Sequence, residues 1–370
     1  MKNGEEAKPE LPEAEEMEEF ALRPSTMPPI GVDLYNFPTT ELANSVGAKV
    51  QGLLYQFGKL INLKRLMRVF VAYNYEEMLA GIERGTAVSK PFAATKNGIA
   101  VGSAMTPAVL HEGEPRSVMV LNAAYVSVLG QPESPETYEA HDVVLYTLAH
   151  ESAHVHDLDM QASCFPDKIL NERLGFRDGI LYAIASGCWE EYIACRLSAF
   201  MAKEVTQRAF EDTFCNALER AKSRADGAIR QYRMHADVER VSREVAEEYK
   251  SVMVYASYLL GHVDGMEANV EQVAPKAINT IESHAYFKPF FAKLHGELRK
   301  LHDVYGHWQG LEVFEPLKQL ADDLLKIGGI DIQPRQDGTT HIAIPYTPET
   351  LPNLAEQMAF LAARNAARKQ

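Results

Sequence analysis

Two histidines and a glutamate have the spacing that metal-dependent hydrolysis requires. His150, Glu151 and His154 form an H-E-x-x-H pentad. Residues four positions apart on an α-helix lie on one face, one turn apart, so both imidazoles can ligate the same ion. Glu151 lies beside the first ligand, where its carboxylate can take a proton from a metal-bound water. The pentad therefore predicts a metal centre with His150 and His154 as ligands and Glu151 as the general base.

A catalytic zinc ion usually has a third protein ligand, and the residues directly after the pentad offer poor candidates. The position six residues after His154 is Met160, which excludes the pattern in which a third histidine stands there. His156 points away from the face that the pair shares, so we expect it to be a helix-end group or an outer partner. Asp157 lies one turn past His154 and reaches only the edge of the site.

The best candidates lie in the later segment Cys188–Arg196, which reads CWEEYIACR. A loop and a return helix antiparallel to the first would bring a glutamate of this segment to the metal. The small residue Ala194 would let the two helices approach closely. Spacing alone leaves both Glu190 and Glu191 open as the third ligand.

The surrounding sequence predicts the elements that position these residues. Helix-forming residues run from Pro135 to about Asp159 without an internal glycine or proline, which predicts the helix that carries the pentad. A helical apolar stripe, capped by Thr39 or Thr40, lies further upstream. The β-forming run Leu66–Tyr73 predicts a strand.

Two chain reversals, at Asn97-Gly98 and at Glu112–Pro115, predict that residues 66–125 form a small, mostly antiparallel sheet. From Ile180 to about Lys326 the pattern is almost wholly helical. A late hairpin at Asp337-Gly338 and a final helix over residues 348–368 follow. The fold class is therefore predicted to be α+β.

Three short motifs resemble a known family. The strand-like VMVLN before the pentad, the helix LYTLAHESAH and the segment EEYIACRLSAF are similar to the gluzincin-type zinc metallopeptidases. In these local motifs the chain is closest to the ImmA/IrrE-like metallopeptidases. The resemblance covers roughly residues 65–205 and implies a zincin-like half-domain that hydrolyses peptide bonds with Zn²⁺. Matching the motif on Ala194 and Arg196 selects Glu191, rather than Glu190, as the third zinc ligand.

The chain departs from the family at one position. The family has an acid or an amide after the alanine, where this chain has Cys195. In gluzincins that acid often orients a ligand histidine through its second ring nitrogen. We expect Asp157 or Glu190 to take over this role if any residue does.

Composition limits the classes of partner. The net charge is −14, which argues against a general nucleic-acid binder and against attraction to anionic membranes. The first twenty residues contain eight glutamates, so residues 1–26 are predicted to be a disordered acidic tail without a signal peptide. The four cysteines form no CxxC motif, as expected of free thiols in the cytoplasm. The expected partner is a protein or peptide substrate.

These observations predict a zincin-like catalytic domain over residues 27–205 and a mainly helical region with a late β-hairpin over residues 206–370. In that region, four polar rings are candidates to close over the cleft: His284, Tyr286, Tyr305 and His307. Two other functions remain open. One is a catalytically impaired zincin scaffold that binds a partner. The other is a ferritin-like di-iron protein, since Glu151 and His154 also form an E-x-x-H motif, although we find no second such motif on a good helix.

Overall fold

The computed structural model describes residues 19–86, 90–94, 102–166, 170, 174–337 and 339–367. The predicted turn at Asn97-Gly98 and most of the acidic tail lie outside these residues. Mixed helices and strands make up the first part of the chain: β1 (Val32–Tyr35), α1 (Thr40–Phe57), β2 (Leu66–Ala72), α2 (Tyr75–Ala80), β3 (Ala104–Met105), β4 (Ala108–His111), β5 (Glu114–Asn122), α3 (Ala123–Val126) and α4 (Tyr138–Cys164).

Helices dominate the second part, which ends with a hairpin and a final helix: α5 (Phe176–Ser198), α6 (Glu204–His235), α7 (Val238–Gly265), α8 (Val270–Val273), α9 (Pro275–Ser283), α10 (Lys288–Asp303), α11 (Glu315–Ile327), β6 (Asp331–Pro334), β7 (Thr340–Ala343) and α12 (Leu354–Ala367). The predicted α+β class, the pentad helix and the late hairpin are confirmed. The hydroxyl of Thr39 caps α1 by accepting a hydrogen bond from the backbone N–H of Leu42.

The sheet is mixed: within residues 66–125 the predicted antiparallel pairing is found for β3 and β4 but not for β2. Strand β2 pairs in parallel with β1 on one side and with β5 on the other. The short strands β3 and β4 follow one another along the outer edge of β5 and run antiparallel to it. The predicted reversal at Glu112–Pro115 does form a hairpin, between β4 and β5. Parallel pairing of β2 and β5 was missed because a crossover leaves no local turn signal.

Alternate residues of the two central strands face opposite sides of the sheet, as the two-residue period of a strand requires. On one face, Val69 and Val71 of β2 and Met119 of β5 pack with buried residues of α1 and α4. On the other face, Phe70 of β2 packs with α2. The sheet thus presents one apolar face to the pentad helix.

A larger core joins α5 to the C-terminal helices. It includes Leu181 and Trp189 of α5, Phe214 of α6, Leu260 of α7 and residues as distant in sequence as β6. The helix that carries Glu191 therefore packs with the second part of the chain. Among the described helices, none is both long and apolar enough to cross a membrane.

Candidate metal centre

Helix α4 places both pentad histidines at the floor of a cleft. Its residues Val144, Leu148 and Val155 are buried in the core beneath the sheet. His150 and His154 lie on another face of the helix, and the ring centroids are 4.8 Å apart. The sheet thus fixes the rotation of α4, and the four-residue spacing brings the two rings together.

Helix α5 brings Glu191 to the same point. Oε2 of Glu191 lies 3.2 Å from Nε2 of His150 and 3.6 Å from Nε2 of His154. The two Nε2 atoms are themselves 3.2 Å apart. The structure thus brings together the three residues that the sequence predicted as metal ligands, and Glu191 rather than Glu190 meets the histidines.

The donor atoms fit a small divalent cation. A tetrahedral ion with bonds of about 2.0–2.1 Å to nitrogen and oxygen separates its ligands by roughly 3.3–3.4 Å, close to the three separations found here. Oε2 of Glu191 is buried and receives no well-aligned hydrogen bond from any described residue. A buried carboxylate oxygen without a donor is costly unless an ion satisfies it. Two imidazoles and a carboxylate suit zinc chemically.

The charges at this cluster are strongly coupled. Burial disfavours the charged ring of His154, but the carboxylate of Glu191, with smaller contributions from two other glutamates, outweighs burial and raises the pKa to about 10. Burial also opposes ionisation of Glu191, yet the two histidines hold its pKa well below the usual range. The cluster favours positive charge beside Glu191, and a metal ion would replace the proton there.

Glu190 lies in a different environment from its neighbour. It lines the cleft, and burial, followed by the nearby charge of Asp157, raises its pKa to about 7. One residue of helical rotation separates it from Glu191 and turns it away from the rings.

Glu151 lies buried at the side of the cleft, with 6% of its surface exposed. The hydroxyl of Thr106, which directly follows β3, donates to Oε2 of Glu151 at 2.7 Å. Both residues line the cleft. The hydrogen bond fixes one carboxylate oxygen and leaves the other available for proton transfer.

The second ring nitrogen of His150 faces Cys195. Its Nδ1 lies 3.7 Å from the thiol Sγ, and both residues are buried. Asp157, expected to take the outer role, instead accepts hydrogen bonds from the indole of Trp189 at 3.1 Å and the hydroxyl of Tyr305 at 3.0 Å. Glu190, the other expected substitute, forms no hydrogen bond or ion pair with either ring among the described residues and acts on His154 only through its charge.

His156 does not lie at the helix end, because α4 continues to Cys164; it contacts the segment before β2 instead. Its Nδ1 accepts a hydrogen bond from the backbone N–H of Asn62 at 3.3 Å. Asn62 also donates to Asp159 on α4, at 2.6 Å. These bonds tie the pentad helix to the segment before β2.

The cleft above the pentad has a volume of about 1000 Å³. The pentad forms its floor, the stretch from Ser103 to Ala108 forms one wall, and side chains of α6 and α7 form the other. A cavity of this size accommodates a short stretch of peptide. Because the helices of the second part form a wall of the cleft, they limit what can reach the pentad.

Tyr258 on α7 was not identified from the sequence as a site residue. Its ring stacks on His150, with centroids 5.6 Å apart and planes inclined by 13°, and it lines the cleft. Burial, then the charge of Glu191, raises the pKa of its hydroxyl, so it stays a proton donor. No spacing in the sequence links it to the pentad. The four rings that the sequence suggested do not line the cleft among the described residues: His284, Tyr286, Tyr305 and His307.

Comparisons of the chain with protein-family models, with curated proteins and with solved structures gave no match. The resemblance to gluzincin-type metallopeptidases therefore rests on the local motifs alone.

Proposed function

We propose that this chain is a zinc-dependent metallo-endopeptidase of zincin type. His150, His154 and Glu191 would hold Zn²⁺, and Glu151 would be the general base. One observation carries the proposal: three donor atoms of the types zinc prefers converge within 4.8 Å of one another, beside a buried glutamate on the floor of a peptide-sized cleft. This arrangement has the parts that metal-assisted hydrolysis needs.

Bound zinc would acidify the attacking water and polarise the scissile carbonyl. Glu151 would accept the proton of that water and pass it to the departing amine. The hydroxyl of Thr106 holds the carboxylate of Glu151 in place at 2.7 Å. Tyr258, still protonated at neutral pH and stacked beside His150, would donate a hydrogen bond to the oxyanion.

The substrate would be a protein or peptide bound in an extended form. The cleft walls carry acidic and apolar side chains, and the net charge of −14 gives no attraction to nucleic acid. All four cysteines are free, which favours action in a reducing compartment such as the cytoplasm.

Metal analysis and one substitution test the proposal. The purified protein should contain about one zinc per chain, whereas two irons per chain would favour a di-iron protein. Glu151→Gln should retain zinc and fold but lose cleavage of a peptide library by at least about 100-fold. Glu139→Gln, on an exposed position of the same helix, is the matched control and should cleave like the wild type. If Glu151→Gln cleaves as well as this control, the assigned base is wrong.

The replacement of the family's acid by Cys195 favours a second candidate, an impaired zincin scaffold that binds a partner. That function predicts a wild type that holds zinc, cleaves nothing in the library, and still binds a peptide from it. In that case Glu191→Gln should retain zinc less well than the wild type, and neither protein should cleave the library. Cleavage that depends on Glu151 would exclude the scaffold.

A further inference from the structure

The imidazole of His150 is held at both of its nitrogens by one helix. Glu191 and Cys195 are four residues apart on α5, so they lie on one face, one turn apart. Oε2 of Glu191 is 3.2 Å from Nε2, and Sγ of Cys195 is 3.7 Å from Nδ1. The ring of His150 thus lies between a carboxylate on its metal-facing side and a thiol on its other side.

This placement determines the tautomer of the ring. Nε2 can bind a cation only if the imidazole proton is on Nδ1, and the atom facing Nδ1 is Sγ of Cys195. Sulfur accepts hydrogen bonds at longer distances than oxygen does, which fits the 3.7 Å separation. A thiol is mostly uncharged at neutral pH, so the acceptor that Cys195 offers carries no full negative charge.

The remaining neighbours of the ring leave this role to Cys195. Tyr258 and Tyr146 contact the ring by its faces, with centroids 5.6 and 5.9 Å away. Asp157 is occupied by Trp189 and Tyr305. Among the described residues, the thiol is the only group for which the structure gives a contact with Nδ1.

We propose that Cys195 is a positioning residue that fixes His150 as the Nδ1–H tautomer, and that its neutral sulfur keeps zinc affinity lower than a carboxylate there would. The proposal rests on the proposed zinc site. A carboxylate acceptor pulls the Nδ1 proton away and makes Nε2 a stronger donor to the metal, whereas a thiol does so only weakly. The same weak donation leaves more positive charge on zinc, which favours ionisation of the attacking water.

Zinc affinity of substituted proteins, measured by competition with a chromogenic chelator, tests this role without using activity. Cys195→Ala removes the acceptor and should lower affinity about 10-fold, and Cys195→Asp should raise it about 10-fold. Cys195→Ser keeps an acceptor of similar size and should restore most of the loss. Cys188→Ala is the matched control: it truncates a buried thiol on the same helix and should leave zinc affinity unchanged.

A pH profile provides a second measurement. If the carboxylate makes the metal less positive, the acid limb of kcat/KM in Cys195→Asp should move to higher pH, while Cys188→Ala should keep the wild-type limb. If Cys195 only packs the core, Cys195→Ala and Cys188→Ala should both lose stability. Neither variant should then change its zinc affinity or the acid limb of its kcat/KM profile.

The outcomes separate this inference from the proposed function. If the wild type binds zinc and cleaves with Glu151, but Cys195→Ala and Cys188→Ala bind zinc equally, the positioning role is wrong and the peptidase stands. If the wild type binds no zinc, both are wrong. If Cys195→Ala does not fold, the comparison of Cys195→Asp with the wild type decides: the role predicts about 10-fold tighter zinc binding by the aspartate variant, and equal affinity contradicts it.

Discussion

Gly261 of α7 lies directly against the carbonyl oxygen of Tyr192 on α5: a Cβ at Gly261 would stand 2.1 Å from that oxygen. One turn later, a Cβ at Gly265 would stand 2.4 Å from the carbonyl oxygen of Arg196. The two glycines let α7 pack backbone to backbone on the helix that carries Glu191. This close approach also places Tyr258, on the same helix, beside His150.

We expect Gly261→Ala to lower the free energy of unfolding by about 2–3 kcal/mol, because α5 and α7 must move apart to admit the methyl group. The shift would displace Glu191, so zinc affinity should fall as well. Denaturant unfolding and chelator competition measure the two effects. The control is Gly52→Ala, on α1, where a Cβ meets nothing within 4 Å; it should gain about 0.5–1 kcal/mol from helix propensity. Equal stability of the two variants would contradict close packing at Gly261.

Asp264 ties α5, α7 and α10 together. Its Oδ2 accepts from the hydroxyl of Tyr192 at 2.6 Å, and Arg299 and His295 donate to its Oδ1. Burial opposes its ionisation, but these donors outweigh burial and hold the pKa of Asp264 well below the usual range. Its contribution to stability is therefore complete above about pH 4 and is lost only as the pH falls further.

Asp264→Asn should cost about 3 kcal/mol at pH 7, since it removes the charge of a buried carboxylate that pairs with Arg196 and Arg299. Chemical denaturation at pH 7 measures this loss. Glu282→Gln, which removes an exposed ion pair with Lys288, serves for comparison and should cost less than about 1 kcal/mol. A similar loss in the free energy of unfolding in both variants would mean that the cluster around Asp264 stabilises the fold no more than an exposed ion pair does.

His262 should make the protein sensitive to mild acid. The ring is fully buried against Phe210, and neither of its nitrogens has a hydrogen-bond partner among the described residues. Burial lowers its pKa from 6.5 to about 4. On acidification, His262 therefore takes up a proton in the unfolded chain at a higher pH than in the folded chain. The free energy of unfolding is unaffected by His262 above pH 6.5 and falls as the pH drops from 6.5 towards 4.

This difference corresponds to a loss of about 3 kcal/mol between pH 7 and pH 4 from His262 alone. His262→Leu should be at least as stable as the wild type at pH 7 and should lose less on acidification by about that amount. Unfolding curves at a series of pH values measure both slopes. Parallel slopes for the two proteins would show that His262 is not the group responsible.

Thr106 should matter for the proposed hydrolysis although it holds no metal. Thr106→Val keeps the shape of the side chain but removes the hydroxyl that donates to Glu151 at 2.7 Å. We expect kcat/KM to fall about 10-fold with zinc content and stability nearly unchanged. Thr40→Val, at an exposed position of α1 away from the cleft, is the control for the loss of a threonine hydroxyl. A normal rate in Thr106→Val would remove Thr106 from the mechanism.

The residues of the centre that could be predicted were those tied to a helical period. His150 and His154 lie on one face whatever surrounds them, because four residues make nearly one turn. Placing Glu191 beside them needed a family motif, since spacing alone left Glu190 equally open. The structure adds the rotation of α5, which the buried residues Cys188 and Tyr192 determine.

The rest of the site depends on contacts between distant segments, which no local pattern reports. Tyr258 is one of several aromatic residues on a long helix, and only the glycines at 261 and 265 bring it to His150. At Cys195 the sequence indicates only a missing acid, and the fold alone brings its sulfur to Nδ1 of His150. Strand β1 was not predicted because Val32–Tyr35 is too short for its alternation to stand out.

The shared core of α5 and the later helices has a consequence for synthesis. A ribosome finishes the pentad long before it reaches Trp308 or Ile332, which belong to the core that packs α5. Until those residues have left the ribosome, α5 lacks neighbours that orient Glu191, and α7 cannot hold Tyr258 beside His150. If the chain is the peptidase proposed above, a growing chain should stay inert towards other nascent proteins until translation is nearly complete.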